Sequence, residues 1–197
     1  MASSKPASSR SKSSNGNGSR RSASSRSEDA ISLLKADHRE VERLFEEYQQ
    51  TDDTAGKAEL AQQICQELTI HAMIEEEIFY PACRREGIDD MMLDEAQVEH
   101  DGAKNLIMEL EAGSPDDDFY DAKVVVLSEM IKHHVNEEEK RGGIFTKARQ
   151  AGMDLDRLGK QLEKRKQELM SEAEAGDLPK PQMLSMMMQP AGIAPAE

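Results

Sequence analysis

The feature that most constrains this sequence is an alternating spacing of three and four residues that recurs in four separate segments. Such spacing places side chains on one face of an α-helix. The four stripes are Ile31, Leu34, His38, Val41 and Phe45; Leu68, His71, Glu75 and Ile78; Leu93, Ala96, His100, Ala103, Ile107 and Leu110; and Val124, Leu127, Ile131, His134 and Glu138. Each stripe carries one histidine among its apolar residues, and two stripes add a glutamate one turn later.

Residues that start and stop helices divide the chain around these stripes. We predict a first helix capped by Ser27 and running to Gln50, then helices over residues 55–80, 89–112 and 117–140. Pro81 is expected to end the second helix, because proline has no amide hydrogen to donate. The composition is poor in strand-forming residues and favours an all-α fold. Four long helices with short loops predict an up-down-up-down four-helix bundle.

Composition divides the chain into four parts. Residues 1–27 form a basic, serine-rich arm, and residues 177–197 form a tail rich in methionine and proline. Both segments are predicted to be disordered because they offer little apolar surface to bury. Residues 28–150 contain the four stripes and form the predicted bundle. Residues 151–176 form an additional amphipathic C-terminal helix, whose apolar stripe consists of Leu155, Leu158, Leu162 and Leu169.

The charge distribution limits the partners of this chain. The net charge is −14, and because residues 1–26 carry six basic and no acidic side chains, the remainder carries −20. Such an acidic body repels nucleic acid and membrane surfaces, so neither is an expected partner. No apolar run approaches the roughly 20 residues of a membrane span, and no signal-peptide core follows Met1. The oligomeric state stays open.

The two cysteines also bear on location. Cys65 and Cys83 are predicted on one helix, about 27 Å apart at 1.5 Å per residue, which is too far for a disulfide. We expect both thiols to be reduced, and a cytoplasmic protein is the interpretation that fits.

The polar residues in the four stripes indicate a metal site. A buried carboxylate is costly unless it is paired or coordinates an ion. A single histidine in a helical seam is usually a hydrogen-bonded core residue, but here four of the five histidines share the seam with two glutamates. Imidazole and carboxylate without thiolate suit iron, manganese or zinc. Because glutamates on two helices can each bridge two ions, we interpret the seam as a dinuclear site. A purely hydrogen-bonded network is the alternative.

Neighbouring polar residues leave alternatives open. His133, with Glu137 one turn later, is the second candidate on the last bundle helix, although the phase of Val124 and Leu127 favours His134 by about 100°. Four acids are interpreted as a solvated face: Glu76, Glu77, Glu137 and Glu139. Three others are either acceptors for imidazole N–H groups or ordinary surface residues: Asp37, Glu99 and Asp101.

The order of these motifs is characteristic. His38 is followed by "HAMIE", then by His100 and then by "HVNEE", within the stretches "LLKADHREVERLF", "EEEIFYP" and "HHVNEEE". Over about residues 28–150 the chain resembles the hemerythrin-like (HHE cation-binding) family. The resemblance implies an up-down four-helix bundle that holds two iron ions in a non-haem di-iron centre with an oxo or hydroxo bridge. The implied metal ligands are His38, His71, Glu75, His100, His134 and Glu138.

Two positions depart from the pattern of that family. Oxygen-carrying hemerythrins have a further histidine one turn after the third-helix histidine, where this chain has Lys104. A lysine ammonium is repelled by metal ions, so we expect Lys104 to point outward or to lose its proton, and one iron to keep an exchangeable position. The stretch "EEEKRGGIFTKAR" has a glycine pair, and Thr146 stands in place of a proline. We therefore expect a loose end to the fourth helix.

The resemblance implies a protein that binds, senses or handles a small ligand such as O₂, NO or peroxide. A di-iron enzyme with catalase-like, peroxide-consuming activity or NO-reducing activity is the alternative, as is iron storage or the repair of iron centres. No cysteine pair or flavin motif is visible, so reducing equivalents would come from elsewhere. The sequence does not separate these functions, and whether the chain is an enzyme stays open.

Overall fold

The computed structural model describes residues 29–187 and has the predicted all-α architecture. Four long helices form an up-down-up-down bundle: α1 (Ala30–Gln50), α2 (Thr54–Ile74), α4 (Asp90–Glu111) and α5 (Tyr120–Glu139). The remaining helical elements are a π-helical segment (Glu75–Phe79), α3 (Tyr80–Arg85), α6 (Ile144–Gln150), α7 (Leu155–Ala175) and α8 (Leu184–Met187). The predicted disordered arm, residues 1–27, lies outside the described residues.

Aspartates cap three of the four bundle helices, α1, α2 and α4, at their N-termini. Asp29 accepts a hydrogen bond from the Ser32 amide at 2.9 Å, and Asp53 accepts one from the Gly56 amide at 2.8 Å. These side chains satisfy backbone donors that the first turn of a helix leaves free. The first helix therefore begins at Ala30 with Asp29 as its cap, and the prediction of Ser27 as the cap is wrong.

The helix that carries His71 continues past Pro81, so the prediction that it ends there is wrong. A π-helical turn precedes the proline, and the Tyr80 amide donates to the Glu75 carbonyl five residues earlier. Such a wide turn accommodates a break in the regular hydrogen-bond ladder. The extra residue also changes which side chains face inward: Tyr80 is buried, whereas Ile78, predicted in the seam, is only half-buried.

Two apolar clusters enclose the histidines from opposite ends of the bundle. The first apolar cluster includes Leu34, Ile74, Phe79, Phe145 and Leu162. The second apolar cluster includes Phe45, Ile64, Leu68, Ile107 and Leu127. On α1 the first cluster ends at Leu34 and the second begins at Val41, with His38 between them. The polar residues thus form one layer between two apolar clusters that exclude water.

The C-terminal region packs onto this bundle. Helix α7 lies against α1 and α2, and its Leu162 and Leu169 are fully buried in the first apolar cluster. The tail predicted to be disordered from residue 177 contains the short helix α8, which contacts α4. The hydroxyl and amide of Ser185 hold this helix by donating to Asp101 at 2.6 and 2.7 Å. Residues 184–187 of the predicted disordered tail are therefore helical, and residues 188–197 lie outside the described residues.

The turn after α5 is tightly packed rather than loose. Gly142 has a φ of 87°, which favours glycine, and Gly143 lies directly against the last carbonyls of α5. This turn starts α6 and places Phe145 in the core, where its ring stacks on His38 with centroids 5.7 Å apart.

Two further features of the described residues concern membrane-spanning helices and the two cysteines. No helix within residues 29–187 is both long and apolar enough to cross a bilayer. Cys65 and Cys83 are buried and unpaired, as predicted.

We expect Gly143→Ala to destabilise the protein more than Gly142→Ala. A Cβ atom at residue 143 would lie 2.3 Å from the Glu137 carbonyl oxygen and 2.5 Å from that of Glu138. Relieving this contact requires a backbone shift, which typically costs about 1–3 kcal/mol. At residue 142 the space is open, and only the cost of a left-handed backbone remains, about 1 kcal/mol. Urea denaturation of both variants measures the difference, and equal destabilisation would contradict this account of the turn.

Candidate metal centre

All six residues predicted as metal ligands converge in the polar layer between the two apolar clusters. Each is buried, and the two carboxylates are the most enclosed, with Glu75 0% and Glu138 1% exposed. The histidines come from four helices: His38 from α1, His71 from α2, His100 from α4 and His134 from α5.

The histidines form two pairs whose ring nitrogens face each other. His38 Nε2 and His71 Nε2 are 3.2 Å apart, and His100 Nε2 and His134 Nε2 are 3.1 Å apart. Two ligands at right angles about one ion are separated by about 3 Å when each bond is roughly 2.1 Å, as in zinc–imidazole bonds. Each pair therefore has the spacing of two ligands of one ion.

The two glutamates connect the histidine pairs. Glu75 Oε2 lies 3.2 Å from His71 Nε2 and 3.4 Å from His100 Nε2. Glu138 Oε2 lies 3.4 Å from His38 Nε2 and 3.7 Å from His134 Nε2. Each carboxylate thus contacts one histidine of each pair, which is the arrangement that a bridging ligand between two ions requires.

The donor atoms fit two metal ions. One group of mutually close ligand atoms comes from His38, His71, Glu75 and Glu138, and a second comes from Glu75, His100 and His134. Glu75 Oε1 and Glu138 Oε2 are buried oxygens that accept no hydrogen bond from any residue of the described part of the chain. Leaving buried carboxylate oxygens unpaired is costly, and cations at this position would satisfy them.

The opposite nitrogen of every histidine contacts an outer carboxylate. The Nδ1 atoms of His38, His71, His100 and His134 lie 2.8 Å from Glu139, 3.4 Å from Asp37, 2.9 Å from Glu76 and 2.8 Å from Glu99, respectively. Such contacts fix the ring orientation and leave Nε2 facing the centre. Each outer carboxylate adjoins an inward-facing site residue in sequence and reaches the histidine of the next helix around the bundle.

This arrangement corrects part of the sequence interpretation. Glu76 and Glu139 were assigned to a solvated face, but both contact imidazoles of the site. Asp37 and Glu99 take the outer-acceptor role that we had considered for them. Asp101 instead accepts from Lys104 at 3.1 Å and from Ser185.

The last bundle helix presents only one of its two histidines to the site. His134 is buried in the polar layer, whereas the side chain of His133 is 62% exposed and its Nε2 lies 3.2 Å from Glu99 Oε1. The structure therefore brings His134 and Glu138 together with the other four residues and leaves His133 and Glu137 outside.

Lys104 neither points outward nor faces the ring nitrogens. It is 3% exposed, and its Nζ donates to both oxygens of Glu76 at 2.6 and 2.9 Å. It also donates to the Gln182 carbonyl at 2.8 Å, which ties the C-terminal segment to the bundle. The expectation of an outward lysine is wrong because Glu76 and Asp101 provide a buried anionic partner for the ammonium.

Tyr80 is a site residue that the sequence analysis missed. Its hydroxyl donates toward Glu138 Oε1 at 3.0 Å and Glu75 Oε2 at 3.2 Å, and it lies 3.4 Å from His100 Nε2. Burial, reinforced by Glu138 and Glu75, raises the pKa of this phenol well above its usual value. The sequence signal that could have revealed Tyr80 is Pro81. A proline within a continuing helix indicates that the set of inward-facing residues shifts along the chain.

Carboxylates dominate the electrostatics of the histidines. Burial alone would lower the pKa of His71, but Glu75 and Asp37 outweigh it and raise that pKa to about 10. At His100, Glu75 and Glu76 likewise outweigh burial and raise the pKa to about 9. Without metal, His71 and His100 therefore keep their protons at neutral pH, and a cation that binds their Nε2 atoms must displace them.

A buried set of histidines and carboxylates in a four-helix bundle defines a class of cation-binding proteins. The sequence profile of the Hemerythrin HHE cation binding domain matches residues 29–141, more than half of the chain. This chain therefore belongs to the hemerythrin HHE cation-binding family.

Two known proteins are similar to this chain. The crystal structure of a hemerythrin HHE cation binding domain-containing protein from Mycobacterium kansasii has a similar fold, with a TM-score of 0.58 and 16% identity over 76% of this chain and 94% of that one. A protein from a Nostoc species, named DNA nickase, is 34% identical over 110 residues. That match covers 54% of this chain but only 30% of the nickase.

We expect the metal-free protein to lose stability as the pH rises from 7 to 9.5. The folded pKa values of His71 and His100, about 10 and 9, exceed the value of about 6.5 in an unfolded chain. The folded state therefore holds protons that the unfolded chain has released, so this stabilisation is complete below about pH 6.5 and is lost as the pH rises through 9 and 10. Urea denaturation in the presence of a chelator measures the slope.

Two comparisons test the origin of that slope. His71→Asn should flatten it, whereas His133→Asn, at an exposed position, should leave it unchanged. A free energy of unfolding that stays constant across this range in the metal-free protein would contradict the assignment of buried, protonated imidazoles.

Proposed function

We propose that this chain is a non-haem di-iron protein that binds and handles a small oxidant: O₂, NO or peroxide. The observation that carries the proposal is the pair of buried carboxylates, each in contact with one histidine from both pairs and each with one unsatisfied oxygen. Imidazole and carboxylate donors without thiolate suit iron, and manganese and zinc are the alternatives. A cytoplasmic location, in which the buried thiols stay reduced, belongs to the same proposal.

The size of the cavity beside the site supports a small ligand. A cavity of about 20 Å³ adjoins the four histidines, which is room for roughly one water-sized molecule. Its other walls are largely apolar and include Val41, Leu68, Ile107 and Ile131. Diatomic gases and peroxide match this volume, whereas larger organic substrates do not.

The two groups of donor atoms are unequal, and this favours an open position. Four residues contribute to the group that contains His38, but only three contribute to the group that contains His100. The Tyr80 hydroxyl lies beside the smaller group and contacts both glutamates, so it can hold a proton there. We assign it the role of proton donor to a ligand at this position.

Peroxide disproportionation is the reaction that this chain can complete alone. Two iron ions held by the six residues would supply electron exchange with O₂, NO or peroxide, and reduction of O₂ or NO would consume electrons from an outside donor. Two molecules of hydrogen peroxide give two of water and one of O₂ with no outside donor. The enclosing apolar clusters keep bulk water from the site, and the outer carboxylates hold the imidazoles in place.

Cleavage of DNA is a second candidate function, suggested by the nickase from Nostoc. The two chains share 34% identity over 110 residues, but this chain spans 30% of the length of that protein. A cavity of about 20 Å³ does not admit a phosphodiester, and the negative charge of the chain repels DNA. We therefore rank this function second.

We expect close to two iron ions per chain in protein that is loaded with ferrous iron without air. His134→Ala should lose at least one of them, because His134 Nε2 faces the centre and its ring has an outer carboxylate partner. His133→Ala is the matched control on the same helix and should keep both. Elemental analysis measures the content, and helicity by circular dichroism confirms the fold. Wild-type protein that stays helical but takes up no iron would refute the proposal.

Titration of the iron-loaded protein identifies the ligand. We expect added peroxide to be consumed with one O₂ released per two peroxide molecules, and we expect no long-lived adduct with O₂. Tyr80→Phe should retain iron but consume peroxide at least tenfold more slowly, as is typical when a positioned proton donor is lost. A stable, reversible O₂ complex in the unmodified protein would instead support oxygen carriage. Nicking of supercoiled plasmid that disappears in His134→Ala but persists in His133→Ala would favour the second candidate.

A further inference from the structure

Helix α7 has a lysine where its apolar stripe should continue. Leu162 and Leu169 are fully buried, and the helical position between them on the same face is Lys166. The side chain of Lys166 is only 18% exposed, whereas that of Lys164 on the same helix is 81% exposed. An inward lysine in an otherwise apolar stripe requires an anionic partner.

Lys166 pairs with two carboxylates, Glu67 at 3.8 Å and Asp37 at 2.6 Å, and the closer one belongs to the candidate metal centre. Lys166 Nζ lies 2.6 Å from Asp37 Oδ1, and the other oxygen of Asp37 lies 3.4 Å from His71 Nδ1. His71 Nε2 in turn lies 3.2 Å from Glu75 Oε2. A continuous path of contacts therefore leads from Lys166 on α7 through Asp37 and His71 to Glu75.

Asp37 depends strongly on Lys166 to compensate its charge. The equivalent carboxylate at His38, Glu139, depends less on any single cation. Glu139, which contacts His38, is paired with Lys35 and Arg39, and its side chain is 18% exposed, so water can replace a lost cation. The Asp37 side chain is 9% exposed and Lys166 is the only lysine or arginine of the described residues paired with it. Removing the ammonium would leave this buried carboxylate with His71 as its remaining ionisable partner among the described residues.

We propose that Lys166 is a positioning residue of the metal centre, which holds Asp37 in the orientation that directs His71 Nε2 toward the ion. This inference rests on the proposed metal-binding function. Lys166 lies beyond residues 29–141, the part of the chain that the family profile matches. Helix α7 is therefore part of the construction of the site as well as a cover for the first apolar cluster.

The test compares Lys166→Met with Lys164→Met in metal-free protein titrated with Co²⁺, whose visible absorption reports the geometry of its ligands. Methionine preserves the apolar stem and removes the charge at both positions. We expect Lys166→Met to weaken the tighter Co²⁺ site by about tenfold, the lower end of the effect of losing an outer partner. Its absorption bands should also shift, and Lys164→Met should match the wild type in both measurements.

Two more variants separate positioning from packing. Lys166→Arg keeps the charge and should retain most of the affinity, whereas Lys166→Gln removes the charge and should behave as the methionine variant does. If Lys166→Met proves poorly helical, the helical Lys166→Gln variant decides the result.

The outcomes distinguish this inference from the proposed function. Wild-type protein that binds two Co²⁺ ions, together with uncharged variants of unchanged affinity and spectrum, would overturn the role of Lys166 and leave the metal centre standing. Equal losses in Lys166→Arg and Lys166→Met would also overturn it, because charge would not be the cause. Wild-type protein that binds no Co²⁺ would overturn the proposed function and this inference with it.

Discussion

The burial of two carboxylates among four imidazoles is the constraint on which the rest of this structure depends. Glu75 and Glu138 are almost completely removed from water, and a charge in that environment is tolerated only with close compensation. Four helices are needed to bring six such groups to one layer, and apolar clusters on both sides keep the layer dry. The two apolar clusters supply the buried surface that stabilises the bundle, and the polar layer lies between them at one level of all four long helices.

The outer carboxylates connect the four helices in one direction around the bundle, because each one contacts the histidine of the next helix. Asp37 on α1 supports the histidine of α2, the π segment that follows α2 supports that of α4, α4 supports that of α5, and α5 supports that of α1. Each support adjoins an inward-facing residue of its own helix, so a rotation of one helix would disturb two histidines at once. Lys104 and Lys166 then compensate the two most enclosed supports. Positioning of the imidazoles is thus a property of the whole bundle.

The sequence predicted the six inward residues because helical phase is local information, set by the apolar neighbours of each residue on its own helix. The sequence did not predict Tyr80. A π turn adds one residue between Glu75 and Tyr80, and this spacing of five does not occur in a helical pattern of threes and fours. The sequence also misassigned Glu76 and Glu139 because their partners lie on other helices, and choosing between solvent and a neighbouring imidazole requires knowing which helices touch. The helical residues 184–187 depend on a similarly non-local contact, the one between Ser185 and Asp101.

The same carboxylates that orient the histidines also oppose metal uptake. Glu75, together with Asp37 at His71 and Glu76 at His100, raises the pKa values of these histidines to about 10 and 9, so at neutral pH these imidazoles keep protons until a cation replaces them. This competition lowers the apparent affinity, but it also keeps the metal-free layer compensated and folded. A site built in this way is preformed before the ion arrives, because protons and metal ions satisfy the same buried charges in turn. One set of contacts therefore both preorganises the site and competes with the ion, and Lys104 and Lys166 partly neutralise two of its outer carboxylates, Glu76 and Asp37.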